Sequence, residues 1–334
     1  MPSIPAGEVS ICVLTYNRAD RLALTIDSLL AQTVANVEII ISDDCSNDGG
    51  ATESICRDYA RRHTNIRYIR NRDNLGMPGN LNSSLQAASG KYLMNLHDGD
   101  SYRSDLIEKC YAALEAHPTA GFVFNAYRTT EPGGQSIVYR ESYPPLIPGR
   151  QLGERLLSRW DSCVFGTVMA RREIYERLGW FDPQFGNFSD VDMWLRIARD
   201  HDVAYVDAPL MDLMPRDPGR FYAFVHWRVI FWMMGIHTLN LQRYQDVAPE
   251  VTLSLTERYG RRRRQYWLYN MLLCIKHRRL DRVREGLAIW RDSDDALLRM
   301  AGRLLGRDAD LPDWYEPGEY WNMARLPAAP EPLP

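Results

Sequence analysis

The feature of the sequence that most constrains the fold is an alternation of apolar strand-like segments with amphipathic helix-like segments. The stretches VSICVLTY (9–16) and VEIIISDD (37–44) are apolar almost to their ends, as is typical of strands covered on both faces. Between them, Leu22, Ile26 and Leu29 fall on one face of a predicted helix. The same order continues to GFVFNAY (121–127), which predicts an α/β fold with a mostly parallel sheet flanked by helices.

Polar clusters follow three of the predicted strands at the point where each strand ends. These clusters are TYNR, SDDCSNDGG and HDGD. In open α/β sheets, ligands bind outside the carboxyl ends of the strands. We therefore expect the three clusters to line one crevice.

The HDGD cluster places Asp98 and Asp100 on either side of Gly99, directly after the apolar run KYLMNL. Two ionised carboxylates this close repel each other unless a cation or hydrogen bonds compensate. Mg²⁺ typically takes one or two carboxylates together with waters and substrate phosphates. An isolated Asp-Gly-Asp triplet more often marks a turn, so the metal hypothesis depends on the segments around it.

Composition excludes several classes of protein. A formal charge of -3 argues against a protein that neutralises nucleic-acid phosphates. Six scattered cysteines without a CxxC pair indicate neither structural zinc nor a disulfide framework. The N-terminus has no secretory signal pattern, and no apolar run approaches the ~20 residues that span a bilayer. We expect a cytoplasmic protein, with peripheral contact at the inner membrane face left open.

The composition shifts after MPRDPGR, towards Trp, Met, Leu and Arg at helical spacing. This shift predicts an α/β domain over residues 1–219, a helical subdomain over 220–322 and a Pro-rich tail over 323–334. Trp227, Phe231 and Trp232 are expected in its core or in a homodimer interface, with a sugar-binding platform as the alternative. The run GRRRRQYW, beginning at Gly260, is typical of a solvated face, with anionic lipid headgroups or a phosphorylated acceptor as the alternatives.

Four segments in this order resemble family 2 glycosyltransferases of the GT-A fold. They are the strand ending in TYNR, the strand ending in SDDCSNDGG, the stretch NLGMPGNLNSSLQAASGKYLMNLHDGD, and GWFDP followed by SDVDMWLRIA. The resemblance covers roughly residues 8–218. It implies inverting transfer from a nucleotide-sugar donor with Mn²⁺ or Mg²⁺ as cofactor.

The resemblance also implies residue roles. Asp44 would accept the ring N–H of uracil or thymine, since a carboxylate only accepts hydrogen bonds. Asp100 would bind the metal, and Asp98 the metal or the ribose. Asp43 is as much expected to cap backbone amides as to touch the ligand. The implied donor-binding residues are Thr15, Tyr16, Asn17, Arg18, Asp43, Asp44, Asn74, Gly76, Asn80, Asp98 and Arg216.

The resemblance places the general base at Asp190, in SDVDMWLR. The alternative is an acidic residue favoured by the helix dipole in a first turn. Asp192 is expected to pair with Arg196 four residues on, and Ser189 with Asp192 resembles a capping box.

The sequence departs from the family pattern at three places. Ser189 stands where many relatives have Glu, MPRDPGR lacks the histidine of an Arg-x-His motif, and Leu81 stands where many relatives have Arg. These departures bear on the identity of the donor and on the metal shell.

The resulting hypothesis is a metal-dependent inverting glycosyltransferase. It would move a sugar from a UDP or dTDP donor to a hydroxyl of a glycan, a lipid-linked glycan or a small natural product, with residues 131–150 as a lid. One alternative is an inactive nucleotide-sugar sensor or assembly protein. Another is a nucleotidyltransferase, which would normally carry a Gly-rich, basic phosphate loop after the first strand; TYNRADR is not such a loop.

Overall fold

The computed structural model describes residues 4–34, 36–130, 135–159, 162–165, 167–214, 227–245, 249–293, 295–313 and 315. These residues divide into two compact units. One falls within the ranges Met1–Leu156 and Asp161–Pro215, and the other within Leu157–Trp160 and Arg216–Pro334. The predicted boundary at residue 220 and the predicted tail over 323–334 lie outside the described residues, so both stay predictions.

The alternation of strands and helices is confirmed. Up to residue 214 the elements are β1 (Val9–Thr15), α1 (Leu22–Leu30), β2 (Glu38–Asp43), α2 (Ala51–Arg62), β3 (Ile66–Arg70), α3 (Gly76–Ala87), β4 (Tyr92–His97), β5 (Ser101–Tyr102), α4 (Leu106–Ala116), β6 (Ala120–Thr130), β7 (Ser136–Tyr139), β8 (Leu146–Ile147), α5 (Gly149–Ser158), β9 (Val168–Arg171), α6 (Arg172–Leu178), a 3₁₀ segment (Pro183–Phe188), α7 (Ser189–Asp200) and β10 (Asp202–Leu213).

The strands form one sheet in the order β3-β2-β1-β4-β9-β6-β10-β5. β3, β2, β1 and β4 run parallel, whereas β9 runs antiparallel between β4 and β6. All seven residues of β1 are buried, because helices cover both faces of the central strands. The parallel register brings the carboxyl ends of β1, β2 and β4 to the same edge, where Thr15 pairs with Asp43 and Leu14 with His97.

The segment predicted as a lid, residues 131–150, contributes the strand β7, which pairs antiparallel with β6, the short strand β8 and the start of α5. Residues 131–134 lie outside the described part of the chain, and the lid role stays a prediction. The sequence interpretation missed β5, β8 and α5. Helix α5 begins at Gly149, where a Cβ would lie 1.9 Å from the backbone oxygen of His201, so only glycine fits this close approach.

The second unit contains α8 (Trp227–Gln245), α9 (Pro249–Lys276), α10 (Leu280–Trp290) and α11 (Ala296–Leu305). Its core is aromatic: the rings of Trp227 and Trp267 stack with centroids 4.8 Å apart, and Phe231 meets Trp267 at 5.5 Å. Trp227 and Phe231 are therefore core residues, as predicted, while Trp232 is only partly buried. Among the described residues, no helix combines the length and apolarity needed to cross a bilayer.

Candidate active site

The carboxyl ends of β1, β2 and β4 bring the three predicted polar clusters together. The backbone N–H of Asp44 donates to the oxygen of Thr15 over 3.0 Å. The backbone N–H of Asp98 donates to the oxygen of Leu14 over 3.2 Å. Asp44 and Asp98 therefore lie on opposite sides of the end of β1, as expected for one crevice.

Asp44 is held by one of its two carboxylate oxygens. Oδ1 accepts hydrogen bonds from the backbone N–H of Leu75 (2.8 Å) and from Nδ2 of Asn71 (3.0 Å). Oδ2 has no hydrogen-bond partner among the described residues. Although the residue as a whole is only 4% exposed, Oδ2 is not among the fully buried atoms that lack a partner, so this oxygen is accessible to a ligand. The arrangement suits a ligand that offers a single N–H or O–H donor.

A buried amide network lies beneath Asp44. Nδ2 of Asn71 also donates to Oδ1 of Asn80 (3.0 Å), and Asn80 binds the hydroxyl and the backbone oxygen of Ser42 at 2.6 and 3.0 Å. Only 3% of Asn80 is exposed. Asn80 was predicted to bind the donor directly, but the structure places it below the pocket, with its oxygen and nitrogen engaged by protein. Asn80 therefore helps to orient Asn71, which in turn contacts Asp44.

Asp43 holds the loop after β2. Its Oδ1 accepts from the backbone N–H of Ser46 (2.9 Å), and its Oδ2 accepts from the hydroxyl of Tyr68 and from Nη1 of Arg70, both at 2.9 Å. The side chain is fully buried. Of the two predicted roles, the geometry therefore matches the capping of backbone amides.

Asn17 connects the loops that follow β1 and β2. It adopts a φ of 53°, in the left-handed region that Asn tolerates better than most residues. Its amide exchanges two hydrogen bonds with Asn47, at 2.7 and 2.8 Å, and its backbone N–H donates to Ser46 Oγ. Asn17 thus shapes the pocket, since both ends of its side-chain amide are engaged by protein.

Several other predicted residues border the open side of Asp44. Tyr16, next to Thr15, is 41% exposed, and Leu75 is 49% exposed. Asn74 Oδ1 accepts from the backbone N–H of Gly76 (3.0 Å), a local turn that starts α3, and Gly76 has a φ of +71°. Tyr16 follows β1 and Leu75 follows β3, and in the sheet these strands lie on either side of β2, which ends at Asp43.

The Asp98-Gly99-Asp100 turn is fixed by Thr25. The hydroxyl of Thr25 accepts from the backbone N–H of Gly99 (2.9 Å) and donates to the backbone oxygen of Asp100 (2.7 Å). Gly99 has a φ of +82°, which disfavours any side chain there. A Cβ at Gly99 would also lie 3.3 Å from Nη2 of Arg18, so the guanidinium covers this turn.

The two aspartates of the turn have different surroundings. Asp98 Oδ1 lies 3.6 Å from Nε of Arg18, whereas its buried Oδ2 has no hydrogen-bond partner among the described residues. Asp100 is 2% exposed, and its Oδ1 accepts from the backbone N–H of Met214 (3.1 Å). The turn therefore offers an unsatisfied carboxylate oxygen next to a second, anchored carboxylate.

Burial raises the pKa of Asp98 to about 6, and the negative charge of Asp100 adds to this effect. The Thr15 hydroxyl, Arg18 and the backbone N–H of Tyr16 act in the opposite direction. The hydroxyl lies close enough to lower the pKa, although Thr15 Oγ1 does not meet hydrogen-bond geometry. A nearby cation would favour the ionised form further.

The turn fits a divalent cation that takes most of its ligands from elsewhere. Among the described residues, no group of three His, Cys, Asp or Glu side chains is arranged to hold a metal ion. Mg²⁺ commonly binds through one or two carboxylates, with waters and substrate phosphates completing its shell. Asp98, with its unsatisfied oxygen, and Asp100 meet that requirement.

Asp190 lies in the first turn of α7 and is partly exposed. Its Oδ1 accepts from the backbone N–H of Val191 (2.8 Å), and Oδ2 has no partner among the described residues. The surrounding protein desolvates the carboxylate and raises its pKa to about 6, opposed only by two backbone N–H groups. In the described part of the chain, no hydrogen bond or ion pair joins Asp190 to Asp98 or Asp100.

The predicted capping box at the start of α7 is wrong. The helix begins at Ser189, its N-cap is Phe188 without a side-chain cap, and the buried hydroxyl of Ser189 has no hydrogen-bond partner among the described residues. The predicted pair is confirmed: Asp192 Oδ2 binds Arg196 Nε at 2.8 Å. The carboxylate of Asp192 therefore forms a buried ion pair and has a structural role.

The remaining predictions have mixed outcomes. Arg216 lies outside the described residues, so its predicted donor contact stays a prediction. Leu81 is a core residue, 2% exposed.

The sequence interpretation missed Asn71 and Leu75. The polar run NRDN, directly after the strand IRYIR, was the available signal, since it is a fourth cluster at a strand end.

Comparison with known proteins agrees with this geometry. Residues 10–179 match the family model described as glycosyl transferase family 2. A glycosyltransferase of Rickettsia felis, itself uncharacterised, is 28% identical over 193 residues, a match that covers 57% of this chain and 31% of the relative. The chain thus spans about a third of that relative's length.

Two solved structures share the fold. One is S. aureus TarS in complex with UDP-GlcNAc, with a TM-score of 0.58, 15% identity, and coverage of 75% of this chain and 72% of that one. The other is the mannosyltransferase PcManGT from Pyrobaculum calidifontis in complex with GDP-Man and Mn²⁺, with a TM-score of 0.51, 17% identity, and coverage of 91% and 89%.

The strand order and these matches identify the fold as GT-A. The chain belongs to glycosyl transferase family 2.

Proposed function

We propose that the protein is a metal-dependent inverting glycosyltransferase that moves a sugar from a UDP or dTDP donor to an acceptor hydroxyl. The observation that carries the proposal is the placement of two kinds of acidic group on either side of the end of β1. Asp44 offers one acceptor oxygen that is accessible to a ligand, and the Asp98-Gly99-Asp100 turn offers a carboxylate pair. A pocket for the base at Asp44 would therefore lie next to a site for the metal ion and the diphosphate at the Asp98-Gly99-Asp100 turn.

Asp44 would read the base. The N3–H of uracil or thymine is a donor, whereas N3 of cytosine is an acceptor that a carboxylate repels. The exposed rim residues Tyr16 and Leu75 supply apolar surface for a flat ring. The other predicted donor-binding residues would shape the base pocket without touching the base. Asn17, Asp43 and Asn80 would hold the surrounding loops in place, and Asn74 and Gly76 would fix the start of α3.

The diphosphate would lie at the Asp98-Gly99-Asp100 turn. Mn²⁺ or Mg²⁺ held by Asp100 and Asp98, when bound, would neutralise charge on the departing nucleoside diphosphate. Arg18, 3.6 Å from Asp98, adds a fixed positive charge next to that position. PcManGT, a fold neighbour, binds Mn²⁺ together with GDP-Man, which supports the use of a divalent ion.

Asp190 would take the proton from the acceptor hydroxyl. With its pKa raised to about 6, the carboxylate is a stronger base than an ordinary aspartate and is still ionised at pH 7. Its Oδ2, which has no hydrogen-bond partner among the described residues, would receive the proton. The acceptor would be a glycan, a lipid-linked glycan or a small natural product. The segment 131–150 would act as a lid over the donor.

A nucleotide screen tests the proposal. Thermal unfolding is measured with UDP, dTDP, GDP and CDP, each with and without Mn²⁺, since a ligand of the folded state raises the midpoint. We expect UDP or dTDP to stabilise the protein, Mn²⁺ to add to the effect, and CDP to have none. Asp44→Asn removes the carboxylate and is expected to abolish the preference.

Donor hydrolysis then separates an enzyme from a sensor. The wild type is expected to release sugar from the stabilising donor, and Asp190→Asn to stop turnover with nucleotide binding intact. Binding without turnover in both proteins would support the inactive sensor instead.

A further inference from the structure

We propose that the outward face of α9 binds the surface of a bilayer that contains anionic lipids. The outward face is defined here as Arg258, Arg261, Gln265, Leu268, Leu272 and Ile275. Successive members are three or four residues apart, so they form one stripe along the helix. At 1.5 Å per residue the stripe is about 26 Å long.

The apolar half of the outward face is exposed to solvent. Leu268 is 43% exposed, Leu272 64% and Ile275 52%, and Tyr269 beside them is 59% exposed. The opposite side of the same helix supplies the core, where Trp267 and Cys274 are buried. The exposed side chains are therefore additional to those that the fold needs, and their grouping on one helix face is typical of an interaction surface.

The charge around this face has one sign. Residues 258–279 contain eight Arg and Lys and no Asp or Glu. Arg263 is buried against Tyr259, Arg264 pairs with Asp295 and Arg279 pairs with Asp281. The other five have no acidic partner in the described part of the chain: Arg258, Arg261, Arg262, Lys276 and Arg278.

This combination fits a lipid surface better than other partners. Arginine and lysine pair with anionic headgroups, while Leu, Ile and Tyr enter the boundary of the acyl chains, as in helices that lie in the membrane interface. A nucleic acid would satisfy the cations and leave the apolar residues in water. A symmetric contact between two copies would bring the same unpaired cations together.

Vesicle sedimentation of the full chain tests the proposal. The probes are vesicles of phosphatidylcholine alone and of phosphatidylcholine with phosphatidylglycerol. We expect about tenfold or more binding in favour of the anionic vesicles, weakened by high salt because surface charges are screened. Equal binding to both vesicles, or to neither, overturns the proposal.

Two paired variants locate the surface. Arg261→Glu with Arg262→Glu, and separately Leu268→Ser with Leu272→Ser, are each expected to reduce binding about tenfold or more, and all four residues are exposed, so folding is preserved. The matched controls are Leu24→Ser, exposed on α1, and Arg61→Glu, exposed on α2. Controls that lose binding equally, or variants that keep it, overturn the assignment to α9.

Light scattering during gel filtration tests the competing occupant. The proposal predicts the same mass for the wild type and the Leu268→Ser, Leu272→Ser protein. A dimer that the apolar variant dissociates would assign the face to a second copy and overturn the lipid assignment.

Discussion

The side-chain amide of Asn71 donates a hydrogen bond to Oδ1 of Asp44 over 3.0 Å, and Oδ2 of Asp44 is left as the acceptor that a ligand can use. The orientation of the amide follows from its neighbours. Nδ2 faces two acceptor oxygens, those of Asp44 and Asn80, while Oδ1 accepts from the hydroxyl of Ser83 (3.0 Å). A flipped amide would place oxygen against oxygen, so the hydrogen-bond network selects one orientation.

Asn71→Ala is therefore expected to weaken UDP binding about tenfold, because Asp44 loses one of the two donors that fix its orientation. Calorimetric titration with UDP measures the effect. Ser83→Ala is the matched control, since it removes a neighbour of Asn71 without removing the donor to Asp44. Equal UDP affinities in Asn71→Ala and wild type would show that Asn71 has no role in base recognition.

Asp98→Asn is expected to reduce the contribution of Mn²⁺ to UDP binding about tenfold or more, since it replaces a charged ligand by a neutral one of the same size. UDP titrations with and without Mn²⁺ measure that contribution, and metal-free binding should change little. The exposed Asp20 provides the control variant Asp20→Asn. An Asp100→Ala protein with full metal-dependent activity would show that the assigned metal site is wrong.

Asp190→Asn is expected to stabilise the fold at pH 7 by about 1–3 kcal/mol while it stops sugar transfer. The folded-state pKa of Asp190 is raised to about 6, so the folded chain holds this proton at pH values where the unfolded chain has released it. Wild-type stability therefore falls as pH rises from about 4 to about 6, and the Asn variant escapes this part of the fall.

Urea unfolding at pH 4 and pH 7 measures the difference, which should nearly vanish at the lower pH. In the wild type, the same protonation predicts that the transfer rate falls as pH drops below about 6. A rate that stays level down to pH 5 would exclude Asp190 as the base.

Arg196→Ala is expected to lower the free energy of unfolding by about 3–5 kcal/mol, because it removes the guanidinium that pairs with the buried carboxylate of Asp192. Arg196 also donates to the backbone oxygens of Leu178, Gly179 and Trp180, which lose those donors. Chemical unfolding measures the loss. Arg199→Ala, at an exposed position in the same helix, is the control and should change stability by less than about 1 kcal/mol.

Local patterns were enough to predict most of the first unit. A continuous apolar run such as VSICVLTY is recognisable because a strand buried on both faces needs apolar side chains at every position, and α1 is recognisable from its helical period. The clustering of TYNR, SDD and HDGD also followed from sequence, since parallel strands share one carboxyl edge. Asp192 and Arg196 are four residues apart on one helix, and their pairing was predicted for that reason.

The tertiary structure decided which side chains face the ligand. Asn71 and Asp44 are 27 residues apart, and Asn80 and Ser42 are 38 apart, so their contacts depend on the register of β1, β2 and β3 and on the packing of α3. The sequence resemblance predicted that Asn80 binds the donor, whereas in the structure Asn80 is buried and hydrogen-bonded to Asn71 and Ser42. By itself, the sequence determined which strand ends carry the carboxylates. Only the fold decided that Asp43 is saturated by protein donors while Asp44 keeps one free acceptor, because neighbouring carboxylates differ only in the partners that packing brings to them.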